Sequence, residues 1–333
     1  MRIFLTGNEG YLGSVVQEEL IEAGHTVTGH DAGFFSTDGE RRAWDIRDIT
    51  ADDLRGHDAI VHLAGLSNDA AGELSEDVTL EINQRGSIQL AELAREAGVE
   101  RFVFASSCSV YGDAHQPELT EDGEVRPLTA YARSKLVAER AIVALDGLCA
   151  TALRFATLFG ASPALRNDLM VNRMVGTAAR YGKITVTGDG AATRPLLHVR
   201  DAATAIVSTL EAPAAAVRGQ VFNVGVPGAN YTIRSVAELV TDRFPAAEIS
   251  FAGSPDHRSY TVCFDRFTST VTAWQPRYDV EYGIREVAEY LEHAEPFPRI
   301  GNPWGRGERS SWLHLLRQEN VLTDAFRWTR AHS

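Results

Sequence analysis

Thr6-Gly7-Asn8-Glu9-Gly10-Tyr11-Leu12-Gly13 stands between a short apolar run, Arg2 to Leu5, and VVQEELIEAG at residues 15–24, whose apolar positions recur at helical spacing. Gly24 closes that helix, and HTVTGHD at residues 25–31 reads as a second strand. Three glycines between strand and helix have separate uses. Gly7 permits a tight turn, Gly10 lets backbone approach a pyrophosphate, and Gly13 lets the helix pack on the sheet. The helix N-terminus supplies amide donors for phosphate. Asp31 lies 18 residues after Gly13, at the end of the second strand. A carboxylate there accepts from a ribose 2′-OH and repels a 2′-phosphate, which favours NAD over NADP. The plainer reading of Asp31 is a loop residue after a strand. Arg41 and Arg42 suit a 2′-phosphate in chemistry, but they lie ten residues further on. Glu9 is an unusual residue for such a turn.

Working outward, the alternation continues. DAIVHLAG (58–65) reads as a strand, EINQRGSIQLAELAREAG (81–98) as a helix and RFVFASS (101–107) as a strand. Strands alternating with helices predict an α/β fold of the Rossmann type, a doubly wound parallel sheet with helices on both faces. Asp45 and Ile46 follow an expected third strand, where an adenine edge would sit; Ile46 fits a core equally well.

The bulk numbers narrow the function. The chain has 333 residues, 44% hydrophobic and 23% charged, enough for one or two domains. A net charge of −13 argues against nucleic acid, and no apolar run approaches a membrane span. MRIFLTG reads as a strand rather than a leader, so the expected location is the cytoplasm. Cys108, Cys149 and Cys263 are too few and scattered for a disulfide framework, and the ten histidines form no metal motif. An anionic ligand in so acidic a protein needs a local arginine cluster or helix N-termini.

Tyr131-Ala-Arg-Ser-Lys135 opens the helix YARSKLVAERAIVAL (131–145), and the i, i+4 spacing puts Tyr131 and Lys135 on one face. A nearby ammonium is expected to lower the tyrosine pKa from about 10 and fit it for acid–base work. Taken alone, such a pair is common on solvated helices. In FASSCSVYG (104–112), Ser107 suits holding a substrate hydroxyl, and Cys108 reads as a nucleophile, an acid or base, or packing.

The combination of TGNEGYLG, HLAG, Asn83, SSCSVYG, PLTAYARSK, LRFATLFG, RPLLHVRD and FNVG, in this order, resembles the extended short-chain dehydrogenase/reductases, specifically their NAD-dependent epimerase/dehydratase branch. The resemblance runs from Met1 to roughly Glu292. It implies Ser107, Tyr131 and Lys135 as the catalytic triad, with NAD as cofactor. Gly7, Gly10, Tyr11, Leu12, Gly13, Asp31, Asp45, Ile46, Leu63, Ala64 and Asn83 would line the NAD site. The implied partner is a nucleotide-diphosphate sugar, met by Ser107, Cys108, Ser109, Thr157, Asp168, Arg194 and Arg258, in a homodimer. Arg194 and Arg258 would form a diphosphate clamp, since planar guanidinium groups suit phosphate; each alone reads as a surface arginine. Relatives often carry asparagine where this chain has Thr157 and Asp168, and an aspartate beside a diphosphate would repel it. Asp168 is therefore expected to meet a sugar hydroxyl, a base amine or an arginine.

The resemblance also implies a dinucleotide domain (1–165, about 195–226 and 258–275), a smaller discontinuous α/β substrate domain (166–194 and 227–294) and a C-terminal extension (295–333). His198 reads as structural. The extension shows no chemistry and reads as a docking or oligomer contact. Hexose 4,6-dehydratases of this branch carry an Asp-Glu pair where this chain has Cys108 and Ser109, which disfavours elimination. Enzymes of the branch that use a cysteine place it at the position of Ser109. UDP-galactose 4-epimerase-like members have small, non-carboxylate residues there. The expected activity is therefore an NAD-dependent nucleotide-sugar epimerase working through a 4-keto intermediate, with Cys108 as pocket wall. The alternatives are a 4-ketoreductase or dehydrogenase, an atypical dehydratase, and a non-catalytic nucleotide sensor.

Overall fold

The computed structural model describes residues 1–36, 44–114, 116, 118–253, 259–293 and 307–329. Strands β1 (Arg2–Thr6), β2 (Thr26–His30), β3 (Ala59–His62), β4 (Arg101–Ser107) and β5 (Cys149–Phe155) follow one another in the first half of the chain. Then come β6 (Thr157–Phe159), β7 (Lys183–Thr187), β8 (Thr193–His198), β9 (Gln220–Val224), β10 (Asn230–Thr232) and β11 (Glu248–Ala252). A six-stranded sheet runs β2-β1-β3-β4-β5-β9, parallel throughout. Its order reverses between β1 and β3, so a crevice opens at the carboxyl ends of those strands. The third strand expected before Asp45 falls largely on residues 37–43, outside the described residues.

Alternation along the strands builds the two faces. Ile3, Leu5 and Val103 enter one core with helices Tyr11–Glu22 and Val199–Glu211; Phe4, Phe102 and Phe104 enter the other with helices Ser87–Glu96 and Ala130–Val143. A third core gathers Phe159, Val175, Ile184, Val236 and Val287 from β6, β7 and helices Met170–Tyr181, Ile233–Arg243 and Val280–His293. Strand β8 joins β10 and β6 in a small sheet, while β7 pairs with β11. The segment after His198 does return as a helix against the large sheet. There the buried Asp201 carboxylate accepts from Arg277 N at 2.8 Å and Tyr278 N at 3.1 Å. His198 is fully buried; its Nδ1 accepts from Arg200 N, so Nε2 donates to Glu286 at 2.9 Å, joining the small sheet to helix Val280–His293.

One buried ion pair fixes helix Ala130–Val143 on the large sheet. Glu139 is 1% exposed, and its carboxylate accepts from Arg154 Nε at 3.0 Å and Nη2 at 2.6 Å. Ser106 Oγ on β4 donates to the same carboxylate at 2.6 Å, and Arg154 Nη1 donates to Tyr111 Oη at 3.0 Å. Glu139→Ala leaves a buried guanidinium without its counter-ion, so unfolding in urea should show a loss of about 3–5 kcal/mol. A loss under about 1 kcal/mol, the size of a surface pair, would contradict this assignment.

Candidate active site

The carboxyl ends of β1, β3, β4 and β5 open into a cavity of about 450 Å³, a size usual for small-molecule sites. At one end lies the glycine turn. Gly7 has φ +76°, and a Cβ there would stand 2.7 Å from Ala64 N; a Cβ on Gly13 would stand 1.9 Å from Gly7 O. Neither position admits a side chain. Gly10 is the N-cap of helix Tyr11–Glu22 and offers no side-chain bond to the first-turn amides. Gly10, Tyr11, Leu12, Leu63, Ala64 and Ile46 all line this end.

Asp31 stands beside the turn. Its carboxylate accepts from Glu9 N at 3.1 Å and Gly33 N at 2.8 Å, and burial pushes its pKa up against those bonds. Asp45 also lines the cavity, but its carboxylate is bonded to Arg47 through the backbone N and both Nε and Nη2, at 2.5–2.9 Å. Asn83, expected in the cofactor wall, lies behind it. It is fully buried, and its amide takes up both backbone groups of Leu66 at 2.8 and 2.9 Å. It shapes the loop after β3 instead of touching the cavity. Arg41 and Arg42 lie outside the described residues. These features fit a dinucleotide: a side-chain-free turn at a helix N-terminus for the pyrophosphate, and a carboxylate at the end of β2 for a ribose.

The middle of the cavity holds Ser107, Tyr131 and Lys135 together. Ser107 ends β4 and Tyr131 opens its helix, capped by Thr129, whose side chain accepts from Ala132 N at 3.1 Å. Burial pushes the Tyr131 phenol up to about 12, against a hydrogen bond with Ser107 that lowers it. The expected lowering by Lys135 is not found. Its ammonium donates to Ala105 O at 2.9 Å over the Phe104 ring, and burial brings its own pKa down to about 8. Desolvation governs both groups because both are enclosed.

At the other end Asp168 meets an arginine, one of the partners expected for it: Arg166, two residues before it. Arg166 Nε and Nη2 donate to the Asp168 carboxylate at 2.9 and 3.1 Å, in a bidentate pair. Burial favours the neutral acid, but Arg166 outweighs it and holds the Asp168 pKa below the usual range. Asn68 Nδ2 adds a 2.5 Å bond to Asp168, while Asn68 Oδ1 accepts from Ala71 N at 2.8 Å. Asn68 has φ +93°, a strained conformation for a residue with a side chain, and these bonds hold it there. Nothing in the sequence marks Asn68, since its contact with Asp168 spans a hundred residues, while Arg166 lies only two residues from Asp168.

Cys108, Ser109, Thr157 and Arg194 line this end too. The Cys108 thiol is 2% exposed and donates to Arg154 O at 3.3 Å, and burial pushes its pKa up. Ser109 Oγ is buried in the wall with no hydrogen-bond partner among the described residues. Arg194 donates to Thr193 O at 2.8 Å and its guanidinium lies 5.5 Å from the centre of the Tyr260 ring. Arg258 lies outside the described residues. Among the described residues no group of three or more His, Cys, Asp or Glu stands ready for a metal ion, and no helix is long and apolar enough to cross a membrane.

The Lys135 shift has a sign that a stability measurement reads. Its folded pKa of about 8 lies below the unfolded value near 10.4, so the unfolded chain binds more protons between them. Stability therefore rises with pH across that window. Measured by urea unfolding, the wild type should gain about 3 kcal/mol on Lys135→Met between pH 7.5 and pH 10.5. A difference that stays constant with pH would show that Lys135 is not buried in its charged form.

Residues 3–225 match the model of the NAD dependent epimerase/dehydratase family. The chain is 31% identical over 265 residues to a UDP-glucose 4-epimerase of Corynebacterium glutamicum, covering 72% of this chain and 79% of that one. It is 27% identical over 312 residues to UDP-glucuronic acid decarboxylase 1 of Arabidopsis thaliana, covering 87% and 70%. Among solved structures, MoeE5 in complex with UDP-glucuronic acid and NAD superposes with a TM-score of 0.77 at 26% identity, over 88% of this chain and 99% of that one. With the glycine turn, Asp31 and the Ser107–Tyr131–Lys135 cluster in one crevice, these likenesses establish that the chain is an NAD-dependent enzyme belonging to the NAD dependent epimerase/dehydratase family.

Proposed function

We propose that this enzyme is a nucleotide-sugar 4-epimerase. The orientation of Cys108 carries the reading. It stands where dehydratases of the branch have a carboxylate, yet its thiol is turned into the core against Arg154 O. The aspartates nearest Tyr131 are engaged as well: Asp168 with Arg166 and Asn68, and Asp69 with the Thr129 hydroxyl at 2.6 Å. An elimination needs an acid and a base besides the tyrosine, and this wall offers neither at the Cys108 position. The C. glutamicum relative supports the same reading by its name.

In this mechanism Tyr131 takes the proton of the sugar hydroxyl and later returns it. Ser107, which lines the same cavity beside Tyr131, holds that hydroxyl in line. NAD, when bound, supplies the carbon that accepts the sugar's hydride and gives it back. The ketosugar must turn between the two transfers, which suits a wall of small groups, Cys108, Ser109 and Thr157. Arg194 would hold the diphosphate. Asp168, neutralised by Arg166, then carries no exposed charge to repel it.

The test runs the enzyme with UDP-glucose in D₂O and follows product and isotope by mass spectrometry. Interconversion at C4 with no carbon-bound deuterium is expected, and Cys108→Ala should retain most of the rate. Tyr131→Phe should lose about 10²–10⁴-fold, the usual contribution of a general acid–base. Carbon-bound deuterium that disappears in Cys108→Ala would overturn the epimerase reading, and stoichiometric release of NADH would make the enzyme a net dehydrogenase.

A further inference from the structure

Residues 307–329 of the C-terminal extension dock on this chain itself, beside the cofactor end of the cavity. Helix Arg309–Gln318 and the residues after it buttress the loop that follows β2. Trp312 Nε1 donates to Phe34 O at 2.7 Å, and Trp328 Nε1 donates to Ala32 O at 2.6 Å. From the other side, Arg47 donates to Ala325 O at 2.9 Å, and Arg327 pairs with Asp48 at 2.5 Å. Leu313, Leu316, Leu322 and Phe326 enter the same core as β3 and β4 residues. The segment is thus part of the wall of the cavity, a docking contact within the chain itself.

Arg309 is the charged group it brings. The residue is 2% exposed yet lines the cavity. Its guanidinium lies 3.9 Å from the centre of the Phe35 ring, and Nη2 donates to Ala164 O at 3.0 Å. Ala164 is tied to the glycine-turn helix: its N donates to Ser162 Oγ at 3.3 Å, and Ser162 Oγ donates to Tyr11 O at 2.7 Å. The Arg309 charge acts on Asp31 at the ribose end and on Asp168 at the sugar end. A cation felt by both carboxylates thus lines the same cavity as the N-terminus of helix Tyr11–Glu22, and is joined to that helix through Ala164 and Ser162.

We propose that Arg309 binds the pyrophosphate of the dinucleotide, so that the C-terminal segment completes the cofactor site. The guanidinium and the helix amides, lining one cavity, would both donate to the phosphates. The shared chemistry is a diphosphate, which the nucleotide sugar also carries; the Phe35 stacking places Arg309 on the loop after Asp31, the cofactor's side.

Calorimetry on the full chain freed of nucleotide separates the cases, with NAD, ADP-ribose, NADP and UDP as titrants. Arg309→Gln should weaken NAD and ADP-ribose alike by about 10- to 100-fold, the range for a hydrogen bond to a charged group. UDP binding should stay within about twofold. Arg309→Lys keeps the charge but loses the planar stack and fork, so it should fall between. A loss of UDP affinity with NAD unchanged would move Arg309 to the sugar nucleotide, and a loss confined to NADP would move it to the 2′-phosphate; either overturns the proposal. If melting curves show Arg309→Gln unfolded, Arg309→Lys decides: wild-type affinity for NAD overturns the proposal, and a reduced one supports it.

Discussion

The helix that carries Tyr131 and Lys135 is held by a charge pair that water does not reach. Tyr131, Lys135 and Glu139 follow one another at four-residue spacing, so they share one face of helix Ala130–Val143. Glu139 is locked to Arg154 on β5 and to Ser106 on β4, the neighbour of Ser107. Once those bonds form, the distance between Ser107 and Tyr131 follows. Two charges taken out of water cost several kcal/mol each, and the geometry must offset that. Here it is offset by several bonds to one carboxylate and by the Tyr111 hydroxyl, itself donating to Asn223 Oδ1 at 2.7 Å. The pair sets position more than it adds stability, and it leaves the helix one docking register.

The same enclosure shapes the chemistry. Burial moves Tyr131 and Lys135 toward their neutral forms, from opposite directions. A neutral phenol beside Ser107 is a proton donor at neutral pH, and it becomes a base only when positive charge is added nearby. The cavity also resolves the conflict between a net charge of −13 and an anionic ligand. Arg166, Arg194 and Arg309 line it, and Arg166 pairs with the Asp168 carboxylate. A few buried guanidinium groups outweigh a distant acidic surface because they act at contact distance and are little screened.

Much of this was readable from the chain alone. The glycine turn, the alternating strands and helices and the Tyr131–Lys135 spacing depend on neighbours close in sequence, where backbone geometry and side-chain period act directly. They point to the parallel sheet, and the three residues they single out, Ser107, Tyr131 and Lys135, line one cavity. What only the tertiary structure decided involves partners far apart. Asp168 is paired with Arg166 but also needs Asn68, a hundred positions away, which no periodicity reveals. Asn83, which the family resemblance puts in the cavity wall, spends both ends of its amide on Leu66, because a buried polar group follows the nearest unpaired backbone. Tyr131 was expected to be lowered by Lys135, but spacing shows only that two groups share a helix face; enclosure set their pKa values. Arg309 sits nearly 280 residues from Asp31 in a stretch without a motif. Local patterns fix which elements form, whereas the fields and bonds of a site come from side chains that meet only after the chain has folded.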